Sequence, residues 1–110
     1  MVKAGEIYLI DKTHLRSCRD ARPCVVLQVS SGIAWVCCLS SQFDCAAGDE
    51  VTLMKTDPEF VASGLKKDSY IANYREIEVS IEALKGAQFL GRATGEFKKK
   101  IEALFGAPLS

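Results

Sequence analysis

The sequence predicts a mainly β fold, a small barrel or curled sheet, with one α-helix at its C-terminal end. Two observations predict it. Several short apolar segments are separated by turn-forming residues, and the hydrophobic period changes to that of a helix only after residue 94. The length of 110 residues is that of one ordinary domain, and no internal repeat divides it. We therefore expect a single domain over residues 1–110.

The first part of the chain predicts three strands. Residues 6–10 are rich in strand-forming residues, and the polar residues 11–21 that follow predict a loop. Residues 23–29 form a continuous apolar run, which favours a strand buried on both faces. A turn at residues 30–32 then predicts a hairpin with a return strand over residues 33–39.

Three further strands are predicted beyond a second loop over residues 40–49. Residues 50–54 alternate well enough for a half-buried strand. Residues 69–74 predict a strand, and residues 76–81 alternate with a period of two. These segments complete the set of strands expected for a curled sheet.

The C-terminal segment predicts a helix that begins after Thr94, a residue type favoured at helix N-termini. Gly106 and Pro108 are residues at which such a helix ends. Residues 98–100 are all lysine and are predicted to lie on its solvated side. Apolar residues recur at helical spacing along it: Phe97, Ile101, Leu104 and Phe105.

Charge does not by itself predict a nucleic-acid ligand. Fourteen basic and fourteen acidic residues cancel, so a global basic field is absent. The charge is nevertheless polarised along the chain, since acidic residues gather between Asp44 and Glu59. Basic residues gather earlier: Lys12, Arg16, Arg19 and Arg22. Any function in RNA binding would depend on such local clustering.

The cysteine count and the N-terminal residues predict a cytoplasmic protein. Five cysteines cannot all pair, and buried thiols in a reducing compartment are the simplest interpretation. The adjacent Cys37 and Cys38 would point to opposite faces of a strand. With one histidine and no C-x-x-C motif, no common zinc site is expected. Neither a secretory signal nor a membrane-spanning segment is expected from the apolar runs.

Four motifs in order carry a family resemblance: GEIYLI at residues 5–10, RPCVVL at 22–27, SGLKKDSYI at 63–71 and LGRAT at 90–94. In this order and spacing, the chain resembles the MazF/PemK toxins over nearly its whole length. That family opens with a G-[DE]-I-aromatic strand, continues with an R-P-hydrophobic strand, and ends with an "iGrls"-type turn and a helix.

The resemblance implies an SH3-like barrel of the MazF/CcdB type with a C-terminal α-helix, commonly assembled as a homodimer. It implies the toxin component of a type II toxin–antitoxin system, an endoribonuclease that cleaves single-stranded RNA by attack of the 2′-hydroxyl. The expected partners are single-stranded RNA and a cognate antitoxin protein, with no membrane. Neither a metal nor another cofactor is expected.

The resemblance implies catalytic roles for Arg22 and Ser40. Arg22 is the arginine of the R-P motif, and a guanidinium suits a phosphate that gains charge during cleavage. The alternative is a surface arginine paired with Asp20 or Glu6. Ser40 stands where many members carry a catalytic Thr or Ser, and its alternative is a turn-forming serine.

Further polar residues are predicted to bind RNA. In the loop that commonly gates the substrate, these are His14, Arg16 and Arg19. His14 is also a candidate general acid or base, and its alternative is an exposed histidine without a role. After the hairpin they are Ser41 and Gln42, and after the SGLKKDSYI motif they are Asn73 and Arg75, with Tyr74 available to stack a base. The acidic residue that some members carry near Tyr74 is absent here.

Two other functional classes stay open. One is a non-catalytic SH3-like binding module or a gyrase-targeting toxin of the CcdB type, which the zero net charge and the missing acid favour. The other is a small β-barrel of unrelated function, which would leave the arginine cluster without a role.

Overall fold

Residues 1–15, 21–43, 51–71 and 76–109, which the computed structural model describes, form a curled antiparallel sheet and three α-helices. The strands are β1 (Glu6–Ile10), β2 (Arg22–Ser30), β3 (Ile33–Ser40), β4 (Thr52–Leu53), β5 (Ser69–Ile71), β6 (Ile77–Ser80) and β7 (Gln88–Arg92). The helices are α1 (Phe60–Ser63), α2 (Ile81–Lys85) and α3 (Gly95–Phe105), with a 3-10 turn at Lys12–His14. No helix among these residues is both long and apolar enough to cross a bilayer.

Strand β3 lies at the centre of the sheet. It pairs with β2 along one edge, and on its other edge it pairs first with β6 and then, at Leu39 and Ser40, with β5. The order β4-β5-β3-β2-β1-β7 follows, with every pairing antiparallel. This change of partner along β3 accompanies the curl of the sheet into a half-barrel.

The sheet buries apolar side chains on both faces. On one face, Val25 and Leu27 of β2 pack with Phe97 and Ile101 of α3. On the other face lie residues of β2, β3 and α2: Cys24, Val26, Cys38 and Leu84. Successive residues of a strand point to opposite faces, so the unbroken apolar run of β2 is explained by two cores.

Most of the predicted elements are confirmed. Strands β1, β2 and β3 match their predicted ranges to within one residue. The burial predicted for residues 23–29 is confirmed only at residues 24–27, because Gln28 and Val29 near the hairpin turn are exposed. Cys37 and Cys38 belong to different cores, as their adjacency predicted. Helix α3 begins after Thr94, whose side chain makes no capping hydrogen bond, and ends at Gly106 with φ 71°.

The segment from residue 80 to residue 94 differs from its prediction. Its alternation predicted a strand through Ile81, but the Ser80 hydroxyl accepts a hydrogen bond from the Ala83 N–H and begins α2 there. The motif at residues 90–94 was predicted as a turn, whereas its first three residues belong to β7. Strand β7 pairs with β1, a contact between distant parts of the chain that local propensity does not encode.

Helix α1 and strand β7 approach each other at two glycines. A Cβ atom on Gly64, which has φ 72°, would overlap the carbonyl oxygen of Leu90. A Cβ atom on Gly91 would overlap the carbonyl oxygen of Ala62. The end of α1 therefore covers β7, the outer strand of the sheet, and only glycine permits that approach.

The buried carboxylate of Glu6 ties β1 to β7. Its side chain is 6% exposed, accepts hydrogen bonds from the Lys3 N–H at 2.7 Å and the Tyr8 hydroxyl at 3.0 Å, and lies 3.6 Å from Arg92. Arg92 also lies over the Phe89 ring, 5.7 Å from its centroid. Burial, together with the bond to Glu6, raises the pKa of Tyr8 to about 12.

Ionisation of Tyr8 should lower the stability of the protein at alkaline pH. The unfolded chain loses the phenolic proton near pH 10 and the folded chain only near 12, so the free energy of unfolding should fall across this window, by up to about 2 kcal/mol. Tyr8→Phe should remove this part of the fall and cost about 2 kcal/mol at neutral pH, through the lost bond to a carboxylate. Urea unfolding at several pH values measures both. Parallel curves for wild type and variant would exclude Tyr8 as the cause.

Candidate functional site

A groove of about 480 Å³ opens where β2 begins and β3 ends. We name it the Arg22 groove. Its polar and charged lining residues are Arg22, Ser40, Ser41, Gln42, Lys66, Lys67, Ser69 and Gln88. Its apolar lining residues are Leu9, Ala21, Pro23, Leu39, Leu65 and Leu90, with Gly64 completing the wall.

The β2–β3 hairpin brings Arg22 and Ser40 to the same groove. Arg22 is the first residue of β2 and Ser40 the last of β3, and antiparallel pairing places these two ends together. Cys24 pairs with Cys38, two residues inside each of these ends. Residues 18 positions apart in sequence thus line one cavity.

Arg22 is half-buried at the edge of the groove and, among the described residues, has no carboxylate within 4 Å. The proposed alternative of an ion pair with Glu6 is wrong, because the Glu6 carboxylate pairs with Arg92. Asp20, the other alternative partner, lies outside the described residues. Pro23 restricts the backbone of Arg22 to an extended conformation, which suits its place in β2.

Ser40 is 7% exposed, and its hydroxyl oxygen accepts a hydrogen bond from the Gln42 N–H at 3.2 Å. This is the turn-forming role predicted as its alternative. The bond uses one oxygen lone pair and leaves the hydroxyl proton able to donate, so the turn and a contact to a phosphate are compatible. The Tyr70 hydroxyl donates to the Gln42 carbonyl at 3.0 Å and holds the turn in place.

The described lining of the Arg22 groove carries three cationic side chains and no carboxylate. In a chain whose net charge is zero, this sorting makes the groove locally positive. The groove has the sign of charge that attracts a phosphate.

A second groove, of about 630 Å³, adjoins the first and contains His14. Leu9, Ala21 and Gln88 line both grooves. Asp11 and Glu82 also line the second groove, which therefore has acidic groups that the first lacks. The structure brings Ser41 and Gln42 together with Arg22 but places His14 in this neighbouring groove.

Four of the predicted RNA-binding residues lie outside the described residues: Arg16, Arg19, Asn73 and Arg75. Tyr74, predicted to stack a base, lies there as well. Their roles stay predictions.

Two lysines of the groove were missed by the sequence analysis. Lys66 and Lys67 belong to the SGLKKDSYI motif that carries the resemblance, but no role was predicted for them. The available signal was a pair of adjacent lysines, two residues after Gly64. Only the packing of α1 against β7 brings that pair to the groove of Arg22.

The described cysteines lie in the cores, away from solvent. Burial raises the pKa of the Cys37 thiol to about 12, so it is not a nucleophile at neutral pH. The sulfur atoms of Cys24 and Cys38 lie 3.4 Å apart, well beyond a disulfide bond length. Over the described ranges, no three side chains of His, Cys, Asp or Glu are placed to share a metal ion.

No protein-family model matches this chain, and no curated protein matches its sequence.

Proposed function

We propose that this protein is a toxin of the MazF/PemK type, an SH3-like barrel that cleaves single-stranded RNA without a metal. The observation that carries the proposal is the Arg22 groove. Arg22 and Ser40 line it together, and its described lining is cationic with no carboxylate. Although the net charge of the chain is zero, this cavity is lined by groups that suit a phosphodiester.

Arg22 is proposed to stabilise the transition state. When the 2′-hydroxyl attacks the adjacent phosphorus, negative charge grows on the non-bridging oxygens of the phosphorane. A guanidinium stays protonated at neutral pH and offers two parallel N–H donors to those oxygens. The absence of an ion pair to any described carboxylate means that its charge is not already compensated by one of them.

Ser40 is proposed to donate its hydroxyl proton to a phosphate oxygen. The oxygen already accepts from the Gln42 N–H, which fixes the hydroxyl at the groove. A hydrogen bond that forms before the reaction and is kept through it positions the phosphate for in-line attack.

The described lining of the groove contains no imidazole or carboxylate for proton transfer. The roles proposed for Arg22 and Ser40 are accordingly stabilisation of charge and orientation of the phosphate, not general acid or base catalysis.

The experiment is incubation of the purified protein with an unstructured RNA in excess EDTA. We expect cleavage into fragments that end in a 2′,3′-cyclic phosphate, the product of 2′-hydroxyl attack, and no cleavage of the 2′-O-methyl analogue, which lacks that nucleophile. Mass spectrometry of the fragments identifies the ends. Intact RNA, or cleavage that EDTA abolishes, would refute the proposed activity.

The same assay tests the proposed partner. We propose that the adjacent upstream reading frame encodes an antitoxin with a basic DNA-binding end and an acidic tail, and that this tail covers the cationic groove of the toxin homodimer. Adding that protein should stop the cleavage of RNA. Undiminished cleavage at saturating antitoxin would refute the proposed partner but not the proposed nuclease activity.

A second candidate is a binding module, of which a gyrase-targeting toxin of the CcdB type is one form. The lack of a described proton-transfer group in the groove favours it. It predicts no cleavage of RNA under any of these conditions, and binding of a macromolecule that Arg22→Ala weakens.

A further inference from the structure

The segment over residues 64–67 forms part of the wall of the Arg22 groove, and it carries Lys66 and Lys67. Both side chains are exposed, and both line the cavity that holds Arg22. The family motifs assign these lysines no role in the proposed reaction. Their position suggests that the groove binds a second group in addition to the phosphate proposed to lie at Arg22.

The backbone of this segment is held at both ends. Leu65 packs in the core beneath α3, and its N–H donates to the Ser63 hydroxyl at 3.2 Å. The Ser69 hydroxyl donates to the Lys67 carbonyl at 2.9 Å. The two lysine backbones are therefore anchored where both residues line the groove.

The two lysines form no ion pair with any described carboxylate. Lys85 and Lys99, by comparison, lie 3.4 and 3.5 Å from glutamates one helical turn away. The nearest acid in sequence, Asp68, accepts a hydrogen bond from the Lys55 N–H at 2.6 Å. Two lysines without a described acidic partner thus line a cavity that already contains Arg22.

We propose that Lys66 and Lys67 bind the phosphate next to the one that is cleaved. This inference rests on the proposed nuclease function. In the proposed reaction, Arg22 and Ser40 bind the phosphate that is cleaved. The next phosphate of single-stranded RNA lies one nucleotide away. A lysine ammonium is a mobile point charge that binds phosphate without demanding a fixed geometry, which suits a contact made to position the chain. The smallest good substrate therefore contains two consecutive phosphodiesters.

The test compares Lys66→Gln/Lys67→Gln with Lys98→Gln/Lys100→Gln, which removes the same charge from α3, outside the groove. Binding of a short fluorescent 2′-O-methyl RNA of random sequence is measured at several salt concentrations. The groove variant should bind about tenfold more weakly, with a salt slope reduced by about 0.7, the value for one lost phosphate contact on a single strand. The control variant should keep the slope and affinity of wild type.

Cleavage gives an independent readout. Wild type should cleave a trinucleotide with two phosphodiesters much faster than a dinucleotide with one, and the groove variant should lose this preference while still cleaving both. Equal melting temperatures of the two double variants show that folding is intact. If wild type cleaves RNA and the groove variant behaves as the control does, the inference is wrong and the nuclease stands. If wild type neither binds nor cleaves RNA, both are wrong.

Discussion

Arg22→Ala should lower the rate of RNA cleavage on the order of a thousandfold, to the limit of detection, because it removes the only arginine among the described groove residues. The melting temperature should stay within about 3 °C of wild type. Arg22 is half-buried and has no ion pair with the described carboxylates, so its removal breaks no such structural bond. Single-turnover cleavage and thermal unfolding measure the two effects.

Arg22→Lys is the matched control, since it keeps the charge and loses the planar pair of donors. It should retain binding of the 2′-O-methyl RNA but recover only part of the cleavage rate. Ser40→Ala should have a smaller effect than Arg22→Ala, because a neutral hydrogen bond is weaker than a charged one. Equal cleavage by wild type and Arg22→Ala would remove Arg22 from the mechanism.

Gly64→Ala should lower the free energy of unfolding by about 3–5 kcal/mol. The new Cβ would overlap the Leu90 carbonyl of β7, and relief requires α1 to move away from the sheet. Gly32→Ala is the control, because Gly32 has a similar positive φ of 82° and no atom within 4 Å of the new Cβ. It should cost only the left-handed backbone strain, about 1 kcal/mol.

Urea unfolding of both variants separates the contact from the strain. Gly91→Ala gives a third value, since it introduces the overlap with Ala62 from the β7 side without a positive φ. A Gly64→Ala variant no less stable than Gly32→Ala would show that α1 does not need its close approach to β7. Because Gly64 also lines the Arg22 groove, loss of that approach should weaken RNA binding as well.

Much of the sheet could be predicted because the apolar residues of each strand indicate which of its positions are buried. The run at residues 24–27 is apolar on both faces and is buried on both faces. Helix α3 shows the spacing of Phe97 and Ile101 that its single buried stripe requires, and Gly106 ends it.

The region around β7 could not be predicted in the same way. Residues 88–92 are mostly exposed, so they show little of the alternation that marks a half-buried strand. Their structure depends on hydrogen bonds to β1, some 80 residues earlier in the chain. The same holds for the groove, because Lys66 and Lys67 line it together with Arg22, a residue more than 40 positions earlier in the chain.

The sequence alone predicted a mainly β domain with a C-terminal helix, and the resemblance that its motifs carry implied roles for Arg22 and Ser40. Only the tertiary structure showed that Arg22 and Ser40 line the same cavity and that Glu6 forms its ion pair with Arg92. It also showed that Lys66 and Lys67 line the groove of Arg22, whereas His14 lines the neighbouring groove. The physical reason is the distance along the chain over which each interaction acts. Periodicity and capping act between near neighbours and are written locally, whereas the sign of charge in a groove depends on which distant segments pack together.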